Sequence, residues 1–145
     1  MKTLIISDDD SVIQKINSKV QSLGFDTIIY RWLLKALDNL EEISPEYIIV
    51  SVKDYPRHWK TLAQFVQMNL ARVPAKVILY SPEKLSADEE KKSSALNIFG
   101  TINSIDENGL NELQSLLNGN SSLKTEIKKT GSSGGLLSRI ENLYG

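Results

Sequence analysis

Short apolar runs alternate with longer stretches of helical periodicity along this chain, and the alternation repeats five times. Leu4, Ile5 and Ile6 make the first run. Behind it Val12, Ile13, Ile16, Val20 and Leu23 recur at the spacing that lines one face of a helix, and Gly24 closes the segment. Ser11, with Gln14 three residues on, has the form of a capping box at the start of that helix. Residues 27–30 predict a second strand, after which Leu33, Leu34, Leu37 and Leu40 stripe a helix over 32–42 that cannot continue through Pro45. Residues 47–52 read as a continuously apolar, buried strand. A third helix starts near Pro56 or Arg57, faces inward with Leu62, Phe65, Val66 and Leu70, and ends before Pro74. Residues 77–80 and 98–102 predict strands four and five. Between them Ser86 with Glu89 opens a polar helix, and Ser104 with Glu107 opens a last one striped by Leu110, Leu113, Leu116 and Leu117.

Strict alternation of strand and helix requires parallel strands joined by crossovers, and right-handed crossovers wind helices onto both faces of the sheet. The expected fold is therefore α/β: a doubly wound, five-stranded parallel sheet with five helices over residues 1–118. The composition then changes. Residues 119–135 are polar and rich in glycine and serine, with Lys124, Lys128 and Lys129 between, and are expected to form a flexible linker. In 136–145, Leu136, Leu137, Ile140, Leu143 and Tyr144 line one helical face, a short amphipathic segment that is marginal as an isolated helix.

Composition mainly excludes. The 145 residues contain no cysteine and one histidine, which removes disulfides, thiol nucleophiles and zinc–thiolate sites, together with most histidine-based catalysis. Eighteen acidic against seventeen basic residues leave a net charge of −1 and no basic field to hold nucleic acid. The opening apolar run is too short for a signal peptide or a membrane span, so a cytoplasmic protein without membrane contact is expected. No glycine-rich phosphate loop, nucleophile elbow or hydrolase carboxylate pair occurs, and an enzyme is not expected. His58 and Trp59, flanked by Arg57 and Lys60, read as the first turn of the third helix with Trp59 partly packed.

The chemistry concentrates where open parallel sheets bind ligands, at the carboxyl ends of the strands. Asp8, Asp9 and Asp10 follow the first strand directly. With Leu4-Ile5-Ile6 before them they resemble the opening of a response-regulator receiver domain. Pro45-Glu46-Tyr47-Ile48-Ile49-Val50 is similar to that family's third strand, and Val77-Ile78-Leu79-Tyr80-Ser81 to its fourth, which ends in Ser or Thr. The resemblance spans roughly 1–118 and implies a flavodoxin-like receiver fold, magnesium at the acidic pair and a phosphoacceptor aspartate after the third strand.

The departures define the expected function. Ser51 stands at the phosphoacceptor position, and a serine cannot supply the carboxylate nucleophile that forms an acyl phosphate. Asp54 is the nearest carboxylate, but using it in the strand needs a three-residue slide, which exchanges the strand's faces. The family's lysine after the fifth strand falls on Asn103, or on Ser104 after a one-residue slip, and its aromatic switch position falls on Gly100 or Thr101. Ser81, the hydroxyl position, and the pair Asp8 and Asp9 remain. The residues therefore describe a pseudo-receiver: a phosphorylation-independent protein-interaction module of two-component signalling. Its degenerate phosphorylation site is Ser51, Ser81 and Asn103, with a weak or vestigial magnesium contact at Asp8 and Asp9 and no other cofactor. The expected partner is a protein, docking on the fourth helix, fifth strand and fifth helix at about 84–117. A homodimer through that face is one arrangement. Two alternatives stand beside it: a receiver phosphorylated at Asp54, and a small-ligand sensor using the pocket over Ser51, Ser81 and Asn103.

Overall fold

The computed structural model describes residues 2–118; the expected linker and the amphipathic segment lie outside the described residues. One compact unit is Met1–Gln114 and a second begins at Ser115; the sheet and the site below belong to the first. Its elements are β1 (Lys2–Ile6), α1 (Asp10–Ser22), β2 (Asp26–Tyr30), α2 (Leu33–Asp38), α3 (Leu40–Ile43), β3 (Tyr47–Ser51), α4 (His58–Met68), β4 (Lys76–Tyr80), α5 (Ala87–Ala95), β5 (Gly100–Ile102) and α6 (Glu107–Leu117). All pairings are parallel, in the order β2-β1-β3-β4-β5. That order is the flavodoxin-like one, in which the chain reverses its winding between β1 and β3 and leaves a crevice at their carboxyl ends.

The sheet is double-faced. Leu4, Ile6, Ile48, Val50, Val77 and Leu79 pack on one side with Leu33, Ala36, Leu40, Trp59, Leu62 and Val66 from α2, α3 and α4. By the two-residue period of a strand, Ile5, Ile49 and Ile78 face the other side, where α1 lies against β1 and β2. The central strand β3 is buried at every residue, which its uninterrupted apolar run requires.

Five differences from the sequence reading have local causes. The helix expected over 32–42 is two helices, because Asn39 leaves the helical region (φ −108°, ψ 8°) and its side-chain amide donates to the Tyr30 hydroxyl and the Lys35 carbonyl. Leu34, counted in the inward stripe, is exposed. Leu70 is exposed too, since α4 ends at Met68, and Val73 fills the core beyond it instead. Trp59 is fully buried rather than partly packed. Of the three capping boxes, only Ser86 with Glu89 forms. Asp9 caps α1 in place of Ser11, and at α6 the Asp106 carboxylate accepts the Gly109 N–H and the Ser104 hydroxyl. A carboxylate answers the positive end of a helix better than a hydroxyl does. Gly24 closes α1 with φ +88°, a conformation that costs glycine nothing.

Candidate functional site

Parallel strands all point their carboxyl ends the same way, so the residues just after each strand meet although they are far apart in sequence. The register sets Ile6 beside Tyr30 and Val50, and Ser51 beside Tyr80. The next residues along the chain therefore form one rim: Ser7 to Asp10, Arg31, Val52 to Tyr55, Ser81 and Asn103.

Ser51 ends β3, buried, and its Oγ accepts the Asp54 N–H at 3.3 Å. The loop turns there and carries the Asp54 carboxylate back over the end of β1. One oxygen, Oδ2, accepts both the Ser7 hydroxyl at 2.7 Å and the Asp8 N–H at 3.0 Å. The expectation that Asp54 could reach the crevice only by a strand slide is corrected, because the loop brings it in while β3 keeps its register.

Each carboxylate of the acidic run has a partner within the chain. Asp9 Oδ1 accepts the N–H groups of Ser11 (2.9 Å) and Val12 (3.3 Å), and its Oδ2 lies 3.5 Å from the Lys53 ammonium. The Val12 N–H, then the Ser11 N–H and Lys53, hold the Asp9 carboxyl below its ordinary pKa against the opposing effect of desolvation. Arg31 pairs with Asp8 at 3.5 Å and with Asp10. The Tyr55 hydroxyl donates to the Arg31 carbonyl, tying the loop after β3 to the loop after β2. Burial, reinforced by Asp54 and Asp8, pushes the Tyr55 hydroxyl up to about 12, so it stays a donor at neutral pH.

Magnesium prefers octahedral oxygen ligands including one or two carboxylates. Among the described residues no group of three or more His, Asp or Glu side chains is arranged to hold a metal ion. Asp8 and Asp9 are turned to Arg31, the helix terminus and Lys53, and Ser51 contributes no charge. The residues do not fit the receiver family's three-carboxylate metal site.

Ser81 and Asn103 are neighbours. Asn103 Nδ2 donates to the Ser81 carbonyl at 3.0 Å, and the Ser81 hydroxyl donates to the Glu83 carbonyl at 2.6 Å. They open into different hollows. Ser81 lines one of about 490 Å³ with Val52, Lys53, Pro56 and Glu83, and Asn103 lines another of about 610 Å³ with Lys84, Glu90 and Thr101. Arg31, Lys53 and Tyr55 are the site residues that sequence reasoning missed. Their signal was positional: each lies within four residues of the end of a strand.

Among solved structures, the chemotaxis response regulator CheY4 of Vibrio cholerae superposes with a TM-score of 0.67 at 19% identity, covering 79% of this chain and 97% of that one. The response regulator domain of Thermotoga maritima CheB gives 0.66 at 12% identity, over 81% and 94%. A receiver domain of a Clostridium thermocellum histidine kinase gives 0.67 at 14% identity, also over 81% and 94%. At these identities the likeness establishes the receiver fold. Among the described residues no helix is long and apolar enough to cross a membrane. In sequence, 65 residues are 42% identical to an uncharacterized protein of Treponema pallidum (strain Nichols), a match that covers 45% of this chain and 28% of that protein. Residues 1–98 match the family model TP_0454_N, an N-terminal domain, and the chain belongs to that family.

Proposed function

We propose that this domain is a pseudo-receiver: a signalling module of receiver fold that binds a protein partner without phosphotransfer and without enzymatic activity. The observation that carries this reading is the state of the crevice. A buried serine ends β3, and the acidic side chains around it are matched by Arg31, Lys53 and helix N–H groups of the same chain. A receiver switches because phosphorylation adds charge that its metal, lysine and hydroxyl hold better in one conformation than in the other. Here the nucleophile position is neutral, the lysine position is Asn103, and the Ser81 hydroxyl is already donated to Glu83. With no differential interaction there is no switch, and the domain docks constitutively. The face made by α5, β5 and α6 is one candidate surface, also for a homodimer. It is polar, for α5 buries no residue, and recognition there rests on hydrogen bonds and charge.

A second reading is favoured by one specific observation, the presence of the Asp54 carboxylate over the crevice between Ser7 and Asp8. In that reading Asp54 accepts phosphate in place of the residue at position 51. Acetyl phosphate labelling with magnesium separates the two, read by intact mass and by amide NMR shifts at Asp9, Ser51 and Ser81. The pseudo-receiver gives no added mass and no saturable shift with acetyl phosphate or beryllofluoride. A phosphoryl adduct that disappears in Asp54→Asn would establish the atypical receiver in its place.

A further inference from the structure

The large apolar side chains left exposed are not on the α5-β5-α6 face. Met68 and Leu70 are exposed at the end of α4, and the other three, Ile29, Trp32 and Leu34, at 41%, 73% and 56% exposure, lie at the opposite edge of the sheet, on β2 and at the start of α2. β2 is an edge strand, paired only with β1. Trp32 stands between two hollows, one of about 450 Å³ shared with Ile29, Arg31 and Lys35, the other of about 280 Å³ shared with Leu33, Leu34, Tyr55 and His58. Lys35 lines both. No carboxylate lines either, although the chain as a whole has more acid than base. Exposed aromatic and aliphatic side chains gathered around concave space mark recognition surfaces, with tryptophan and arginine the usual anchors. Lys35, which lines both hollows without an ion pair of its own, then selects for the charge of the partner.

We propose that this surface binds an acidic amphipathic segment of a partner protein, whose apolar side chains enter the hollows on either side of Trp32 while its carboxylates meet Lys35 and the neighbouring Arg57 and His58. Lys35 and Arg57 make no ion pair among the described residues, so both are available. A second copy fits worse, since a contact between two such faces would bring the unpaired Lys35 and Arg57 of both copies together with no carboxylate to answer them. A flat anionic membrane also fits worse. Arg31 is flanked by Asp8 and Asp10, exposed at 67% and 86%, which a bilayer would have to meet, whereas a narrow peptide can follow the hollow from Trp32 to His58 and avoid them. The proposal rests on the interaction-module reading only for the existence of a partner. The phosphate experiments decide that reading and the experiment below decides this one, so the two failures are distinguishable.

The chain carries its own reporter. Of its two tryptophans, Trp59 is fully buried and Trp32 is exposed, so acrylamide quenching reads Trp32. The full-length chain is titrated with a synthetic twelve-residue peptide carrying leucine and phenylalanine at positions i, i+3, i+4 and i+7 and glutamate elsewhere, and separately with its lysine twin. The glutamate peptide is expected to shift Trp32 emission to the blue and to cut its quenching at least threefold, saturably and less strongly at high salt. The lysine twin should bind at least tenfold more weakly. Lys35→Glu, at an exposed position that leaves the circular dichroism spectrum unchanged, should reverse the preference between the two peptides. Equal binding of the peptides, or shielding by neither, would overturn the proposal. So would stronger shielding by phosphatidylserine vesicles, which assigns the surface to a membrane, or shielding that grows with protein concentration alone, which assigns it to a second copy. A Trp32 already closed to acrylamide in the free chain, and opened by deleting residues 136–145, would assign it to the chain's own amphipathic segment.

Discussion

Replacing Asp54 by alanine removes the acceptor of two hydrogen bonds that fasten the loop after β3 to the end of β1. Ser7, whose hydroxyl donates to it, is 1% exposed, so water cannot take the carboxylate's place at no cost. A hydrogen bond to a charged partner is worth about 1.5–3 kcal/mol net, and that is the expected loss for Asp54→Ala. The Asp8 N–H adds little, because it can turn to solvent. Asp54→Asn behaves differently for a geometric reason. Both bonds end on one oxygen, Oδ2, and an amide oxygen also has two lone pairs, so asparagine keeps the contacts and loses only the charge assistance, at roughly 0–1 kcal/mol. At about 4 °C of Tm per kcal/mol for a domain of this size, alanine should lower Tm by about 6–12 °C and asparagine by less than about 4 °C. Urea titration of the parent, the two variants, Ser7→Ala and the Ser7→Ala, Asp54→Ala pair would also yield the coupling energy between the two side chains, expected above about 1 kcal/mol. If alanine lies within about 0.5 kcal/mol of the parent, or asparagine costs as much as alanine, the carboxylate is not the fastener described here.

Arg31→Ala and Lys53→Ala should each raise magnesium affinity severalfold in calorimetric titration, because they release Asp8 and Asp9 from internal cations; unchanged affinity would show that those pairs do not shield the acidic run. The Asp9 carboxyl is held below its ordinary value, so its contribution is present above that value and is lost as pH falls through the lowered one; Asp9→Asn should flatten the acid limb of stability against pH. Tyr55 runs the other way, its raised pKa giving stability that is intact below pH 10 and lost as pH rises toward about 12, and Tyr55→Phe should remove that alkaline step in a pH-melt series. Gly109→Ala would drive a Cβ into the Ser104 carbonyl and should loosen the start of α6, read as faster amide exchange at Leu110 and its neighbours without change in β1 or β3.

The sequence by itself determined the alternation of elements, the depth of the central strand and the residue types at the strand ends, because local periodicity and the burial of β3 are written in consecutive positions. The resemblance to receiver domains pointed to Ser51, Ser81 and Asn103 or Ser104 as the positions to inspect after the strands. Strand order was not local information, since it depends on which crossovers turn back, and only the folded sheet made β2 an edge and set β1 beside β3. The partners of the acidic run were beyond sequence reasoning for the same reason: Arg31 and Lys53 reach Asp8 and Asp9 across the sheet rather than along the chain. Asp54 is the clearest case. Strand periodicity assigned it to the wrong side of β3, but periodicity ends with the strand, and the loop beyond it is shaped by the hydrogen bonds it can make with Ser51, Ser7 and Asp8. Leu34 and Trp32 differ in kind. Their apolar chemistry was visible, and only tertiary packing, which closes over Leu33, Ala36 and Leu40 and stops there, decided that they face solvent.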